Sequence, residues 1–316
     1  MSTQLKLFEL SSDATKTQKL IWSYSRTNTL EKCPRKYYYH FYGSNSRKAK
    51  SESDKSVLKI LKNLSNRYMR TGNILHLVIK TYIKKQLEGY SWDVDQLLRW
   101  ANSIYLKDRE FSQIYKNSPS RYNSNLKSVP LLEYYYEYEN VEDLFIKSQS
   151  QMLTALNNFV KYNHFVDLIN SLSGAYVDIE RRIRPIFDKF ITEGRIDLIY
   201  RKEKGIEIYD WKIGDSSNPE DSLQLLFYAC WTVDEFRCQP EDITVHKANL
   251  LNKSVSSYTF SLKSLQRTVA RIKQDIERMK SIDKYGNNAI VDAFSPCRQP
   301  KVCALCPYQE VCFKRG

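Results

Sequence analysis

Residues 190–200 read F-I-T-E-G-R-I-D-L-I-Y, residues 201–205 R-K-E-K-G, residues 206–214 I-E-I-Y-D-W-K-I-G, and residues 221–230 D-S-L-Q-L-L-F-Y-A-C. The first and third pieces are rich in β-branched and aromatic residues, and the charged piece between them ends in Gly205. That pattern predicts a β-hairpin. A turn centred on Glu203 and Lys204 pairs residues whose numbers sum to 407, which sets Asp197 opposite Asp210. Directly opposed side chains in an antiparallel pair have Cβ atoms about 4.5–5.5 Å apart. Two carboxylates at that spacing repel each other unless a cation lies between them. Side chains alternate along a strand, so Lys212 shares the face of Asp210 and Trp211 takes the other. One surface of the hairpin thus carries two acids and an amine, a set able to hold a divalent metal and position a water.

G-R-I-D followed by I-Y-D-W-K resembles the signature of the PD-(D/E)XK nucleases in their RecB-like form, with Asp210, Trp211 and Lys212 as D-x-K. The family's Q-x-x-x-Y helix is matched by Gln224 and Tyr228, four apart and so on one helical face. Its upstream helical His is matched by His76 in G-N-I-L-H. D-x-K alone is a weak signal, whereas the ordered set from His76 to Tyr228 is specific. The resemblance implies an α/β restriction-endonuclease-like core, a mixed central sheet flanked by helices. It also implies phosphodiester hydrolysis with Mg²⁺ or Mn²⁺ held by Asp197, Asp210 and His76. Lys212 would orient or deprotonate the attacking water and stabilise developing charge, with Gln224 and Tyr228 in support.

The 316 residues carry a formal net charge of +13, a surplus that suits a polyanionic partner such as DNA. No apolar run reaches 18 residues and the first residues lack a signal-peptide core, so an intracellular, cytoplasmic protein with no membrane span is expected. In that compartment the 7 cysteines are better read as metal or cluster ligands than as disulfides. The 23 tyrosines suit base stacking, though most are expected as half-buried packing residues.

Taken in order, residues 1–56 form an N-terminal segment, polar up to about residue 20, with Ser25 or Thr27 as helix-cap candidates and a polar loop at 44–56. Residues 57–172 read as a helical region that begins with the helices around His76 and continues as a helical insertion from residue 91. A lone His on a helix is usually structural; the downstream motifs are what favour a role for His76. Residues 173–260 hold the nuclease core. Its first strand is expected at Tyr176–Phe187, with Glu180 as a further acid ranked below Asp197. The helix carrying Gln224 is expected to begin near Pro219, and a later strand pair turns near Asn252. Residues 261–316 comprise a basic amphipathic helix and a cysteine tail.

In that tail Cys303, Cys306 and Cys312 form C-x2-C-x5-C, and two thiolates separated by two residues can chelate one metal or neighbouring cluster irons. On spacing, the fourth ligand is Cys297 or Cys33. The residues around Cys33 resemble an S-x-S…C-P-x-K-[FY]-x-Y element of RecB-like nucleases. The resemblance to the iron–sulfur branch of that family, which includes AddB and CRISPR-associated members, implies Cys33 and a [4Fe-4S] cluster. Four-cysteine Zn²⁺ through Cys297 is the alternative. Cys230 and Cys238 show no ligand spacing.

The function expected is a DNA nuclease, acting as an exonuclease on single strands or ends, in repair, recombination or antiviral defence. Two other readings stand beside it: a DNA-binding or assembly module without cleavage of its own, and a zinc-bearing RNA nuclease. The phosphate-cradling G-x-x-x-x-G-K-[ST] does not occur, so ATP-driven unwinding calls for a helicase or similar repair or defence partner.

Overall fold

A computed structural model describes residues 7, 20–43, 52–119, 128–187, 190–203, 205–214, 221–283 and 290–313, the side chains of 52–55, 221–222 and 283 excepted. In chain order the elements are β1 (Ile21–Ser23), α1 (Tyr24–Lys32), α2 (Pro34–Tyr38), a π-helical turn (Tyr39–Gly43), α3 (Glu52–Asn63), α4 (Arg67–Leu87) and α5 (Val94–Tyr115). Then follow α6 (Leu132–Tyr135), α7 (Val141–Lys161), α8 (Asn163–Ser171), β2 (Val177–Ile183), β3 (Ile186–Phe187), β4 (Phe190–Lys202) and β5 (Gly205–Lys212). The chain continues with α9 (Asp221–Phe236), β6 (Ile243–Asn249), β7 (Ser254–Tyr258), α10 (Leu262–Asp283), α11 (Pro300–Cys303) and α12 (Gln309–Phe313). It divides into two compact units, the first from Met1–Tyr24, His76–Leu97 and Thr154–Ser281, the second from Ser25–Leu75, Leu98–Leu153 and Ile282–Gly316.

The first unit is built on a mixed sheet in the order β1-β4-β5-β6-β7, with β2 and β3 also paired to β4. β1 runs parallel to β4, and β5 parallel to β6; the other pairings are antiparallel. The parallel step from β5 to β6 needs a crossover, and α9 supplies it. The β4–β5 hairpin has the register read from its turn: Lys202 pairs with Gly205 and Leu198 with Tyr209, sums of 407. Of the two turn residues, Lys204 lies outside the described residues. Gly205 sits at a φ of 149°, and a Cβ there would stand 2.6 Å from the carbonyl oxygen of Asp242, so only glycine fits.

Ile196, Leu198, Ile199, Tyr200, Ile206, Ile208, Tyr209 and Trp211 are all buried. Burial on successive positions means that both faces of β4 and β5 are covered. Phe159 and Phe165, from α7 and α8, meet the Trp211 ring edge-on at 5.3 and 6.0 Å. α9 lies against β4 so closely that a Cβ on Gly194 would come within 2.8 Å of the Phe227 ring. The basic helix α10 buries Leu265, Ile272, Ile276 and Met279, and its buried Asp275 accepts from the Trp22 indole at 3.3 Å.

The second unit is helical. Tyr39, Leu58, Leu61, Leu64, Tyr115, Leu132, Val291 and Tyr308 form one core cluster. Beside it the fully buried Asp108 takes a two-pronged contact from Arg70, at 2.6 and 3.2 Å, and the N–H of Val129 at 2.7 Å. A buried carboxylate is tolerated only when paired and hydrogen-bonded in this way.

Several local expectations change. The polar loop expected at 44–56 is helical from Glu52 onward, and residues 44–51 lie outside the described set. The strand expected at Tyr176–Phe187 is two strands, broken at Arg184–Pro185, where proline has no N–H to give the ladder. Helix α1 starts at Tyr24, ahead of both cap candidates Ser25 and Thr27. Residues 191–193 of β4 also find a parallel partner in Ile21–Ser23, a short strand outside the expected elements. Pro219 lies outside the described residues, and among them no helix is long and apolar enough to cross a membrane.

Candidate metal centre and cysteine pocket

The hairpin ladder stops after Leu198–Tyr209, one step short of Asp197 and Asp210. There the Asp197 carboxylate accepts the Trp211 N–H at 2.7 Å, taking the place of a main-chain partner. That charge-assisted bond fixes Asp197 on the strand edge. On its other side β4 pairs with β2 in a register of sum 377, and the pair skipped is Glu180 with Asp197. Glu180 has a φ of 57°, left-handed and uncommon for a residue with a side chain. Such conformations persist where surroundings over-determine them, and they concentrate at functional sites.

His76 of α4 completes this corner. Its Nδ1 lies 3.1 Å from Asp197 Oδ1 and 3.3 Å from Glu180 Oε1. Among the described residues, His76, Glu180 and Asp197 are the one set of three metal-capable side chains with ligand atoms all within 4.8 Å of one another. Asp210 is outside that set. Its buried Oδ2 lies 2.8 Å from Lys212 Nζ, in an ion pair.

Burial opposes a charge on His76, but Asp197 and then Glu180 outweigh it and lift the imidazole to about 10. Burial also raises the Asp210 carboxyl against the pull of Lys212, and the charge of Asp197 adds to the rise. In the metal-free protein the imidazolium therefore neutralises a corner that would otherwise gather repelling acids. The donors suit a hard divalent cation: carboxylate oxygens and an imidazole.

Gln224 and Tyr228 stand one turn apart on α9. The Gln224 amide donates to Tyr228 Oη at 2.5 Å, and Tyr228 Oη donates to the Arg195 carbonyl at 2.5 Å. Burial pushes the Tyr228 phenol well above its ordinary range, which keeps it a neutral donor. These two residues therefore grip the β4 backbone two residues before Asp197. Gly194 makes this approach possible, since a Cβ there would also come 3.2 Å from the Tyr228 ring.

In the second unit Cys33, Cys297, Cys303, Cys306 and Cys312 line one pocket with Arg35, Lys36 and Tyr39. Cys33 caps α2, its sulfur accepting the Lys36 N–H at 3.4 Å. The tail is held by tyrosines. Tyr136 donates to the Pro307 carbonyl at 2.7 Å, Tyr138 to that of Ala304 at 2.5 Å, and Tyr39 to that of Val311 at 3.3 Å. Burial pushes the Cys306 thiol up to about 11 and raises that of Cys312. Cys230 and Cys238 lie elsewhere, their sulfurs against the carbonyls of Leu265 and Thr232 at 3.7 and 3.8 Å.

A single tetrahedral ion with metal–sulfur bonds of about 2.3 Å needs sulfurs mutually about 3.8 Å apart. Among the described residues no three cysteine sulfurs meet even within 4.8 Å. An all-thiol lining suits a soft metal ion or an iron–sulfur cluster.

Two features went under-read in the sequence. Glu180 ranks with Asp197 by position, and the signal would have been the β2–β4 register, which places the two opposite each other. Cys297 and Cys33, weighed as alternatives, both reach the pocket.

With the sheet, the acidic corner and the helix of Gln224 and Tyr228 in view, the class follows. The PD-(D/E)XK nuclease superfamily model matches residues 21–313, and the chain belongs to that superfamily. Its members are divalent-metal nucleases, hydrolases of phosphodiester bonds. Among curated proteins none matches the chain. Among solved structures the crystal structure of SSO0001 is similar at 19% identity over 56% of this chain and 78% of that one, with a TM-score of 0.30, too low to carry an argument.

Proposed function

We propose that the protein is a Mg²⁺- or Mn²⁺-dependent deoxyribonuclease acting on single-stranded or end-containing DNA, with a [4Fe-4S] cluster on Cys33, Cys303, Cys306 and Cys312. The observation that carries the nuclease reading is the convergence of His76, Glu180 and Asp197 beside the Asp210–Lys212 pair. The +13 formal charge supports a polyanionic substrate. The five-thiol pocket supports the cluster.

Glu180, Asp197 and Asp210 would hold the divalent ion, with His76 as a neutral nitrogen donor once its proton leaves. When bound, such an ion supplies Lewis acidity and lowers the pKa of a coordinated water. The protein's own groups do the rest. Lys212, tied to Asp210, presents an ammonium group that orients the water and stabilises negative charge as it develops on the phosphate. Tyr228 and Gln224 brace the β4 backbone, so Asp197 does not drift when the substrate arrives. The cysteine cluster serves structure, not electron transfer.

Labelled single- and double-stranded DNA and RNA, incubated with and without Mg²⁺, test the proposal. The wild type should cleave DNA only with the metal, and Asp210→Ala should lose cleavage by more than about 100-fold, beyond the 10–100-fold typical of residues behind the metal ligands. Retained cleavage in purified, folded Asp210→Ala sinks the assignment. Binding of DNA without cleavage by the wild type would favour an assembly role.

A further inference from the structure

A [4Fe-4S] cluster needs four thiolates, yet five thiols stand on the pocket. The fifth is placed for a purpose that the four-ligand reading leaves unused. Cys297 Sγ lies 4.0 Å from Cys303 Sγ. This spacing is close to the roughly 3.8 Å between two thiolates on one tetrahedral metal. At that spacing both sulfurs face one metal atom, and a [4Fe-4S] cluster takes one thiolate per iron, so only one of the two can bind it at a time. Cys297 therefore duplicates the position of Cys303.

Both partners are held where they are by the main chain. The segment leading to Cys297 is tied to the Cys33 helix, with the Arg35 N–H donating to the Ser295 carbonyl at 3.1 Å and the Arg35 side chain to that of Phe294 at 2.5 Å. Arg298 takes a left-handed φ of 52°, which turns the chain back, and the Cys303 N–H then donates to the Gln299 carbonyl at 2.8 Å. The six-residue step from Cys297 to Cys303 is thus a closed loop with a sulfur at each end.

We propose that Cys297 is an exchange ligand: it and Cys303 serve one corner of the metal site interchangeably, while Cys33, Cys306 and Cys312 hold the remaining three. The inference rests on the cysteine-pocket reading above. The exchange is balanced without an oxidant. The incoming thiol gives up its proton as its sulfur binds, the departing thiolate takes one up, and the charge of the site is unchanged. A spare ligand next to an occupied corner lets metal be inserted or replaced without leaving that corner uncovered.

The test is anaerobic reconstitution with ferrous iron and sulfide, and separately with Zn²⁺, reading metal and sulfide content and the visible spectrum. Cys297→Ser and Cys303→Ser should each keep at least half of the wild-type metal, whereas the Cys297→Ser/Cys303→Ser double variant and Cys306→Ser should lose most of it. A Cys303→Ser protein that loses as much metal as Cys306→Ser, or a double variant that keeps it, overturns the exchange. A second measurement uses the loaded wild type and avoids any folding defect in a variant: brief alkylation mapped by peptide mass. Exchange labels both Cys297 and Cys303 in part. A fixed ligand set labels Cys297 fully and leaves Cys303 untouched, which would also overturn the proposal. If the wild type takes up neither iron nor zinc, the cysteine-pocket reading itself falls and the exchange falls with it.

Discussion

The acidic corner of the sheet unit and the cysteine pocket of the helical unit hold their ligands in different ways. In the corner, backbone geometry brings the groups together. Asp197 is clamped by the Trp211 N–H, Glu180 faces it across a broken step of the ladder, and His76 neutralises both. In the pocket the main chain is held by tyrosine hydroxyls, while the sulfurs stay dispersed except for Cys297 and Cys303. Carboxylates repel one another, so they converge only where a rigid scaffold and a counter-charge oppose the repulsion. Thiols near neutral pH are mostly uncharged and can line a pocket without that support, to be deprotonated when metal arrives.

The comparison can be broken at three points. Of the two substitutions, the larger effect is expected at Gly194. Gly194→Ala would put a Cβ 2.8 Å from the Phe227 ring, and that overpacking should cost about 1–3 kcal/mol. It should push α9 and Tyr228 from β4 and lower cleavage, while cluster absorbance on the cysteines stays intact. Denaturant melts with parallel activity and absorbance readings check this; loss of absorbance instead of activity would show that the corner is not scaffold-limited.

A smaller effect is expected at Tyr136. Tyr136→Phe removes one hydrogen bond to the Pro307 carbonyl, a loss of about 0.5–1.5 kcal/mol. Hydrogen exchange should speed up in residues 304–312 and remain unchanged at Trp211. Equal acceleration at both would mean that the cysteine tail is not held locally by its tyrosines.

The third point is a pH dependence of the metal-free protein. The folded-state pKa of His76, about 10, lies above its ordinary 6.5. Its contribution to stability is therefore complete below pH 6.5 and is lost as pH rises through about 10. The raised Asp210 carboxyl acts in the same direction, since the native state holds that proton more tightly than the unfolded chain. Thermal melts in chelator between pH 6.5 and 10 should fall for the wild type and flatten for His76→Phe. A wild-type profile that rises over that range would contradict the ion-paired imidazole.

How much was readable beforehand varies with the range of the interaction. The hairpin register was legible because a two-residue turn fixes it locally, although the ladder ends one step short of Asp197 and Asp210. Glu180 was harder, because β2 reaches β4 through a second strand and a proline break, and its left-handed backbone leaves no mark in the residue order. The run Y-Y-Y-E-Y at 134–138 falls within the stretch expected as a helical insertion. Only Leu132–Tyr135 is helical, and the hydroxyls of Tyr136 and Tyr138 hold the cysteine tail instead.

By itself the sequence determined the hairpin and its register, the order of the motifs from His76 to Tyr228, and the cysteine spacing of the tail. Each follows from chemistry within a turn or two of the chain. Tertiary structure alone decided that Glu180 and His76 meet Asp197, that Asp210 pairs with Lys212 outside that group, and that Cys33 and Cys297 reach one pocket. The reason is physical: local spacing dictates which side chains share a face, but only the packing of distant segments brings repelling acids, or five thiols, to a single place.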